Sequence, residues 1–432
     1  MFSQQSWYYN ILLSNIYGRQ TKPMKYLVIL TDGAADWPIE SLGGKTPLEA
    51  AHMPNATLLA TRSAVGSAMT VPDGMAPGSD VANLCVMGYD PKHFHTGRSP
   101  LEAASIGVAL SDEDVAYRAN IVTLAAPDGS FDAPCSYEEM TMIDHASGDI
   151  PTADCAILID ALNDAFATDG LRFYVGTSYR HCLVVKNGSL ATSLTPPHDF
   201  LGFPVIDRLP SGENAAFFLE MQRKSYEILR SHPVNRARIA AGKHPANSLW
   251  LWGAGKKPVL PPLSEKYGVS GAVISAVDLI KGIGILAGLE SIDVPGVTGT
   301  VDSNFDGKTA AAIDAFRRGK DFVYVHLEAT DEAGHQGTPD VKVRALELFD
   351  EKVIGPMMRF LAGCGDDYRI LLLPDHPTPI QVRTHVAEPV PFVLYDSRVR
   401  IDAPDHSYTE RSGKTGPYYE SAVRLTDEFF RK

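Results

Sequence analysis

The chain has little cysteine and no pattern in what it has. Cys85, Cys135, Cys155, Cys182 and Cys364 are odd in number, widely scattered and free of any C-x-x-C pair. That argues against a disulfide framework or a thiolate metal site and fits a reducing cytoplasm, with the thiols serving as small core hydrophobes. Long apolar runs are also missing. None approaches the roughly 20 residues that a membrane helix needs. Positive charge is in short supply: 39 Lys and Arg stand against 52 Asp and Glu, a net charge of −13. Such a balance excludes a general binder of nucleic acid or of anionic membranes, while leaving room for one local basic pocket that takes a small anionic substrate. There is no internal repeat and no low-complexity tract. What remains is ordinary globular composition, 44% hydrophobic and 21% charged. With 432 residues, the chain exceeds the roughly 250–300 at which single cores stop growing, so two domains are expected.

Three apolar, strand-like runs each lead into chemistry-bearing residues. Lys25–Leu30 precedes Thr31-Asp32-Gly33, Asp321–Leu327 precedes a segment with Asp331 and His335, and Tyr368–Leu373 precedes Pro374-Asp375-His376. Carboxylates and imidazoles just beyond the carboxyl ends of parallel strands occupy the edge where open α/β sheets place their sites. With Ser79 and His385 they make seven candidate ligands for two metal ions, drawn from opposite ends of the chain. Asp331 and His335 are four apart and share one face of a helix that starts near Thr330. Taken alone, such a pair also reads as a solvated helix contact. Asp375-His376 equally suits a turn before Pro377. Ser79, in Ala76-Pro77-Gly78-Ser79-Asp80, precedes the apolar stretch Val81–Met87, which reads as a helix. Its local sequence allows an N-cap or a hydroxyl nucleophile at a phosphate-attracting helix start. A mixed Asp and His donor set favours manganese or zinc over magnesium, because imidazole is a borderline ligand.

These runs fall in two blocks, 24–92 and 259–432, separated by a stretch with its own rhythm. Val115–Leu124 reads as a strand, Arg172–Val175 and His181–Val185 as a paired hairpin with turn residues at Asn187-Gly188, and Glu213–Arg230 as a helix ending before His232-Pro233. Segment 93–258 therefore reads as an inserted α/β domain, entered near Pro91-Lys92-His93 and left through the proline-rich Lys256–Pro262.

Eight segments together resemble the cofactor-independent phosphoglycerate mutases, in their archaeal-type branch, within the alkaline phosphatase superfamily. They are LTDGAAD (Leu30–Asp36), LGGKTPLEAA (Leu42–Ala51), APGSDVANLCVMGYDP (Ala76–Pro91), TGRSPLEAASIGV (Thr96–Val108), PANSLWLWGAG (Pro245–Gly255), SAVDLIKGIGILAG (Ser275–Gly288), HLEATDEAGHQG (His326–Gly337) and LLPDHPTP (Leu372–Pro379). The resemblance runs from about Met24 to the C-terminus. It implies an alkaline-phosphatase-like, doubly wound, mostly parallel α/β core interrupted by a smaller inserted α/β domain for substrate binding and phosphotransfer. It also implies interconversion of 3-phosphoglycerate and 2-phosphoglycerate without 2,3-bisphosphoglycerate, by way of a phosphoserine at Ser79. One metal would be held by Asp32, Ser79, Asp375 and His376, the other by Asp331, His335 and His385. The ions are expected to be manganese, with zinc or magnesium as alternatives.

Anion partners are expected among Arg118, Arg180, His181, Arg236, Arg238 and Lys281, since guanidinium groups clamp carboxylate and phosphate in bidentate fashion. Each singly also reads as a surface salt bridge, and Asn247 as substrate contact or turn former. Asp149 stands where the branch usually carries histidine, and Ser99 where glycine is usual. A carboxylate at position 149 would repel an anionic substrate. This keeps open a related phosphotransferase, such as a proposed homoserine kinase, or a phosphatase. A non-catalytic binding protein fits least, since no ligand of the set is missing. Residues 1–23 carry Trp7, Tyr8, Tyr9 and a short Ile11–Leu13 run without a basic start or cleavage site. They read as a disordered extension, possible from an upstream start codon, and N-terminal sequencing of the native protein is expected to find Met24 first.

Overall fold

The computed structural model describes residues 22–131 and 135–432, and the chain separates into two compact units. The first comprises Val259–Lys432 together with the chain up to His95; the second is Thr96–Pro258. All but the last two residues of the expected N-terminal extension lie outside the described residues.

The first unit is built on an eight-stranded sheet. Across it the strands run Glu290–Ser291, Gly271–Ile274, Phe322–Leu327, Met24–Thr31, Asp367–Leu373, Val390–Asp396, Ala64–Ala68 and Tyr418–Tyr419. Val390–Asp396 alone runs antiparallel to its neighbours. Met24–Thr31 is buried along nearly its whole length, as a parallel strand covered on both faces must be. Alternation divides its side chains between two helical layers. Leu27 and Ile29 join a core with Leu59, Phe316, Phe349 and Leu361 on one face. On the other, Tyr26 packs edge-on against Phe429, 5.4 Å between ring centres. This is the mostly parallel α/β core that the sequence implies.

Register decides where the site forms. Leu30 lies opposite His326 on one neighbour and Leu373 on the other. The three central strands therefore end level, and Asp32, Glu328 and Asp375 emerge together at the carboxyl edge. Gly33 lets them crowd. Its φ is +63°, and a Cβ there would sit 2.7 Å from the Cα of Asp331, so neither backbone nor space admits a side chain.

In the second unit, Asp114–Ala125 pairs antiparallel with Thr141–Asp144, Arg180–Lys186 and Ser248–Lys256, while Leu171–Tyr174 pairs with Arg180–Lys186. The two strands read as a hairpin are thus partners; Asn187, at φ 54°, turns the chain after the second of them. Helices Thr152–Phe166 and Ala215–Leu229 bury Leu158, Ile159, Leu162, Phe218 and Met221 against Val115, Tyr117, Ala119 and Ile121. All five cysteines are free, and no described helix is long and apolar enough to cross a membrane.

One buried ion pair ties the carboxyl edge of the first unit to the helix beside it. Lys342, fully buried on the helix Pro339–Phe349, donates to Asp36 Oδ2 at 2.7 Å and to the Thr378 carbonyl at 2.9 Å. It thereby joins the segment after Met24–Thr31 to the segment after Asp367–Leu373. Replacing Lys342 with Met leaves the Asp36 carboxylate buried without its counter-charge. We expect a loss of about 3–5 kcal/mol, read as a lower urea midpoint with the far-UV circular dichroism of the folded state preserved.

Candidate metal and phosphoryl-transfer site

All seven residues singled out as metal ligands lie in the first unit, and the fold brings them together. The helix Ser79–Val86 starts with Gly78 as its N-cap, and no side chain caps it. Ser79 is thus the first helical residue. Its buried hydroxyl lies 3.2 Å from His376 Nε2. The same nitrogen is 3.4 Å from Asp375 Oδ2 and 3.7 Å from Asp32 Oδ1. Asp32, Ser79 and Asp375, from three separate parts of the chain, thereby converge on one imidazole nitrogen.

A second group adjoins the first. On the helix Ala329–Gln336, Asp331 and His335 share a face, with Asp331 Oδ2 and His335 Nε2 3.3 Å apart. His385 Nε2 lies 3.3 Å from Asp331 Oδ1 and 3.0 Å from His335 Nε2. The donor atoms of Asp331, His335 and His385 all lie within 4.8 Å of one another, as do those of Asp32, Asp331 and His376.

Electrostatics shows what such an arrangement lacks without a cation. Burial, then the charges of Asp375 and Asp331, push the Asp32 carboxyl well above the usual range, against the opposing hydrogen bond from His326. Asp32 Oδ1 is buried without a hydrogen-bond partner among the described residues. Asp331 is held well below the usual range: burial opposes ionisation, but hydrogen bonds from His335 and His385 outweigh it. Hydrogen bonding to Asp331, against some burial, raises His335 to about 9. Burial lowers His376. Clustered carboxylates, an orphaned carboxylate oxygen and two imidazole nitrogens facing each other form a donor set that a divalent cation fits.

Several supporting residues carry no clear sequence signal. Asn83 donates to Asp375 Oδ2 at 2.9 Å and is itself held by the Tyr324 hydroxyl at 2.6 Å. Thr378 donates to Asp331 Oδ1 at 2.6 Å. His326, inside an otherwise apolar strand, lies against Asp32, and its polarity at that position is the one hint the sequence offers.

The expected anion partners do not form one group. Lys281 belongs to the first unit and pairs with Asp293 at 2.7 Å. The other five belong to the second. His181 is a satisfied core histidine: its Nδ1 accepts from the Gly176 N–H at 3.1 Å, its Nε2 faces Cys155 Sγ at 3.1 Å, and burial lowers it to about 3. Arg238 is also taken up internally, donating to the carbonyls of Ser147 at 2.6 Å and His244 at 2.9 Å. These contacts occupy both residues within the second unit. Arg236 is exposed. Arg118 lies over the Trp252 ring at 4.1 Å, with Glu102 2.8 Å from its Nε; burial, partly offset by Glu102 and reinforced by Arg98 and Arg180, lowers its pKa to about 10. Beside it, the His198 ring is 5.1 Å from that of Trp252 and 6.0 Å from that of His145. Asn247 bonds the backbone of Leu124 through both ends of its amide, a structural role. Asp149 is exposed at φ 48°.

Known proteins resemble this chain over most of its length. The family model described as 2,3-bisphosphoglycerate-independent phosphoglycerate mutase matches residues 60–235. A 2,3-bisphosphoglycerate-independent phosphoglycerate mutase of Methanothrix thermoacetophila is 48% identical over 395 residues, covering 91% of this chain and 96% of that protein. Among solved structures, a protein of Pyrococcus horikoshii superposes with a TM-score of 0.76 at 27% identity, covering 95% of this chain and 98% of that one. The cofactor-independent phosphoglycerate mutase of Thermoplasma acidophilum superposes with a TM-score of 0.62 at 27% identity, covering 95% and 99%.

The raised His335 sets a pH dependence. In the metal-free protein its interaction with Asp331 contributes stability that is full below pH 6.5 and lost as pH rises through about 9. A cation on His335 must displace that proton. Calorimetric Mn²⁺ titrations are therefore expected to show tighter binding at pH 8.5 than at pH 7, with proton release revealed by buffers of different ionisation enthalpy. The metal-free protein should meanwhile become less heat-stable over the same interval.

Proposed function

Since this chain belongs to the 2,3-bisphosphoglycerate-independent phosphoglycerate mutase family, we propose that it interconverts 3-phosphoglycerate and 2-phosphoglycerate, as an isomerase, through a phosphoserine at Ser79. The observation that carries this reading is the convergence of Ser79, Asp32, Asp375 and His376 beside Asp331, His335 and His385. A hydroxyl on the first turn of a helix, beside the N–H groups of that turn, is where a phosphate would rest.

Ser79 Oγ gives up its proton and forms a bond to phosphorus as the bond from phosphorus to the substrate oxygen breaks, and that oxygen takes up a proton to become a hydroxyl. The freed glycerate then presents its other hydroxyl, and the phosphoryl group returns to it. In this reading Asp32, Ser79, Asp375 and His376 hold one divalent cation, and Asp331, His335 and His385 a second. When bound, such ions neutralise the phosphoryl oxygens and lower the pKa of the serine hydroxyl. The mixture of carboxylate and imidazole favours manganese, then zinc, over magnesium. Thr378 and Asn83 keep Asp331 and Asp375 oriented, in the manner of outer partners at metal sites.

We assign the second unit as the substrate domain. Arg118 and Arg180 are the members of the expected set best suited to the task, with exposed Arg236 as a further contributor and Lys281 available from the first unit. The homoserine kinase reading rests on Asp149 alone. We assign the enzyme to the cytoplasm, in keeping with its free thiols.

Purified protein loaded with Mn²⁺ should convert 3-phosphoglycerate to 2-phosphoglycerate without added 2,3-bisphosphoglycerate. Phosphate release without isomerisation would indicate a phosphatase, and turnover only of homoserine with ATP a kinase. Ser79→Ala should lower mutase turnover by several orders of magnitude with little change in melting temperature, because the hydroxyl contributes chemistry rather than core volume. Substantial residual activity would refute the phosphoserine route.

A further inference from the structure

The segment behind Asp32 holds a chain of buried polar groups that the proposed reaction does not use. His326, next to last in the strand Phe322–Leu327, is fully buried. Its Nε2 lies 3.1 Å from Asp32 Oδ2. At the far side of the ring, Nδ1 lies 3.2 Å from Glu328 Oε1 and 3.1 Å from Ser275 Oγ. Glu328 is fixed in turn: its Oε1 accepts from the Ala276 N–H at 2.7 Å, and its Oε2 from Lys308 Nζ. Lys308 also donates to the His326 carbonyl at 2.7 Å. Hydrogen bonds run from Lys308 through Glu328 to His326, and the last link to Asp32 is a 3.1 Å contact of Nε2, which has no hydrogen-bond partner among the described residues.

Burying an ion pair and a histidine here costs several kcal/mol per charge, and strand positions beside them are filled by Val323, Val325 and Leu327. Apolar side chains would serve packing at least as well. The effect on Asp32 is specific. Its two oxygens are made unequal, since Oδ2 faces His326 while buried Oδ1 has no hydrogen-bond partner and lies toward His376 Nε2, 3.7 Å away. The terminal torsion of an aspartate is broad and soft, so without a clamp the carboxylate could turn either oxygen toward a cation.

We propose that His326, held by Glu328 and Ser275, is a positioning residue that clamps Oδ2 of Asp32 and so commits Oδ1 to the cation site shared with Asp375 and His376. The inference rests on the reading of Asp32 as a metal ligand. It assigns His326 a positioning role rather than the donor role that its distance from Asp32 and Asp375 would also permit, because its other ring nitrogen is taken by Glu328 and Ser275. Partners of this kind typically change metal affinity 10–100-fold when removed.

The test uses the full chain and Mn²⁺ alone, with free Mn²⁺ followed by electron paramagnetic resonance and folding checked by thermal melting of the metal-free protein. Asparagine places an amide near Nδ1 of the histidine it replaces, and glutamine near Nε2. His326→Asn keeps the Glu328 end and loses the Asp32 end, so one of the two Mn²⁺ binding steps should weaken about 10–100-fold while the other holds. His326→Gln should recover much of that loss. Glu328→Gln, which retains the shape and one acceptor oxygen, should weaken the same step by a smaller factor and serves if His326→Asn does not fold. Asp32→Asn separates the two claims. If it leaves both steps unchanged, the metal reading of Asp32 fails, and the positioning role with it. If Asp32→Asn abolishes one step but the His326 and Glu328 variants bind as wild type, the positioning role alone is overturned. Equal weakening of both steps in every folded variant would also overturn it, since that marks general loosening of the core.

Discussion

Three carboxylates that repel one another sit at the carboxyl edge of a single sheet, and much of the first unit is arranged to hold them there. Asp32, Asp331 and Asp375 each follow a strand whose register with its neighbours leaves no freedom to retreat. Gly33 removes the side chain that would keep two of their backbones apart. Repulsion of this size is tolerated only when rigid packing enforces it or a cation relieves it. The sheet provides the first and the surrounding imidazoles prepare for the second.

The cluster is flanked by cations that are part of the fold. Lys342 neutralises Asp36 on one side, and Lys308 neutralises Glu328 on another. Burial lowers the pKa of both lysines, whereas burial opposes the charge on Glu328 but Lys308 and His326 outweigh it and hold that carboxyl at about 2. Each pair satisfies carboxylates that lie next to the candidate ligand group without placing an ammonium within it. The outer charges are thus closed off, and the inner ones are left open to an incoming ion.

Much of this was legible in the sequence because each principal ligand follows an apolar run. Asp32, Asp331 and Asp375 could be placed at strand ends from patterning alone, and the i, i+4 spacing put His335 beside Asp331. Ser79 was harder. A cap and a first helical residue differ by one position, finer than sequence patterning resolves, and only the contact with His376 separates them. His326, Asn83 and Thr378 were invisible as supporting residues because their partners lie far along the chain, where no local pattern reports them. The basic residues of the second unit could not be told apart from the sequence. His181 and Arg238 have the right chemistry near turns, but burial had already spent their hydrogen bonds on the core, and burial is a property of the folded unit rather than of the motif.

The sheet's central strand has a consequence for synthesis. Met24–Thr31 finds its two partners only in Phe322–Leu327 and Asp367–Leu373, whereas the strands of the second unit pair among themselves between Asp114 and Lys256. At a translation rate of about 5–20 residues per second, the roughly 300 residues between the first strand and Phe322 take on the order of 15–60 s to emerge. During that time a strand that is buried along nearly its whole length in the folded unit has unpaired edges, while the later-coded unit is complete enough to fold. The nascent chain is therefore assembled from its middle outward, and its earliest segment is among those most in need of shielding from premature association.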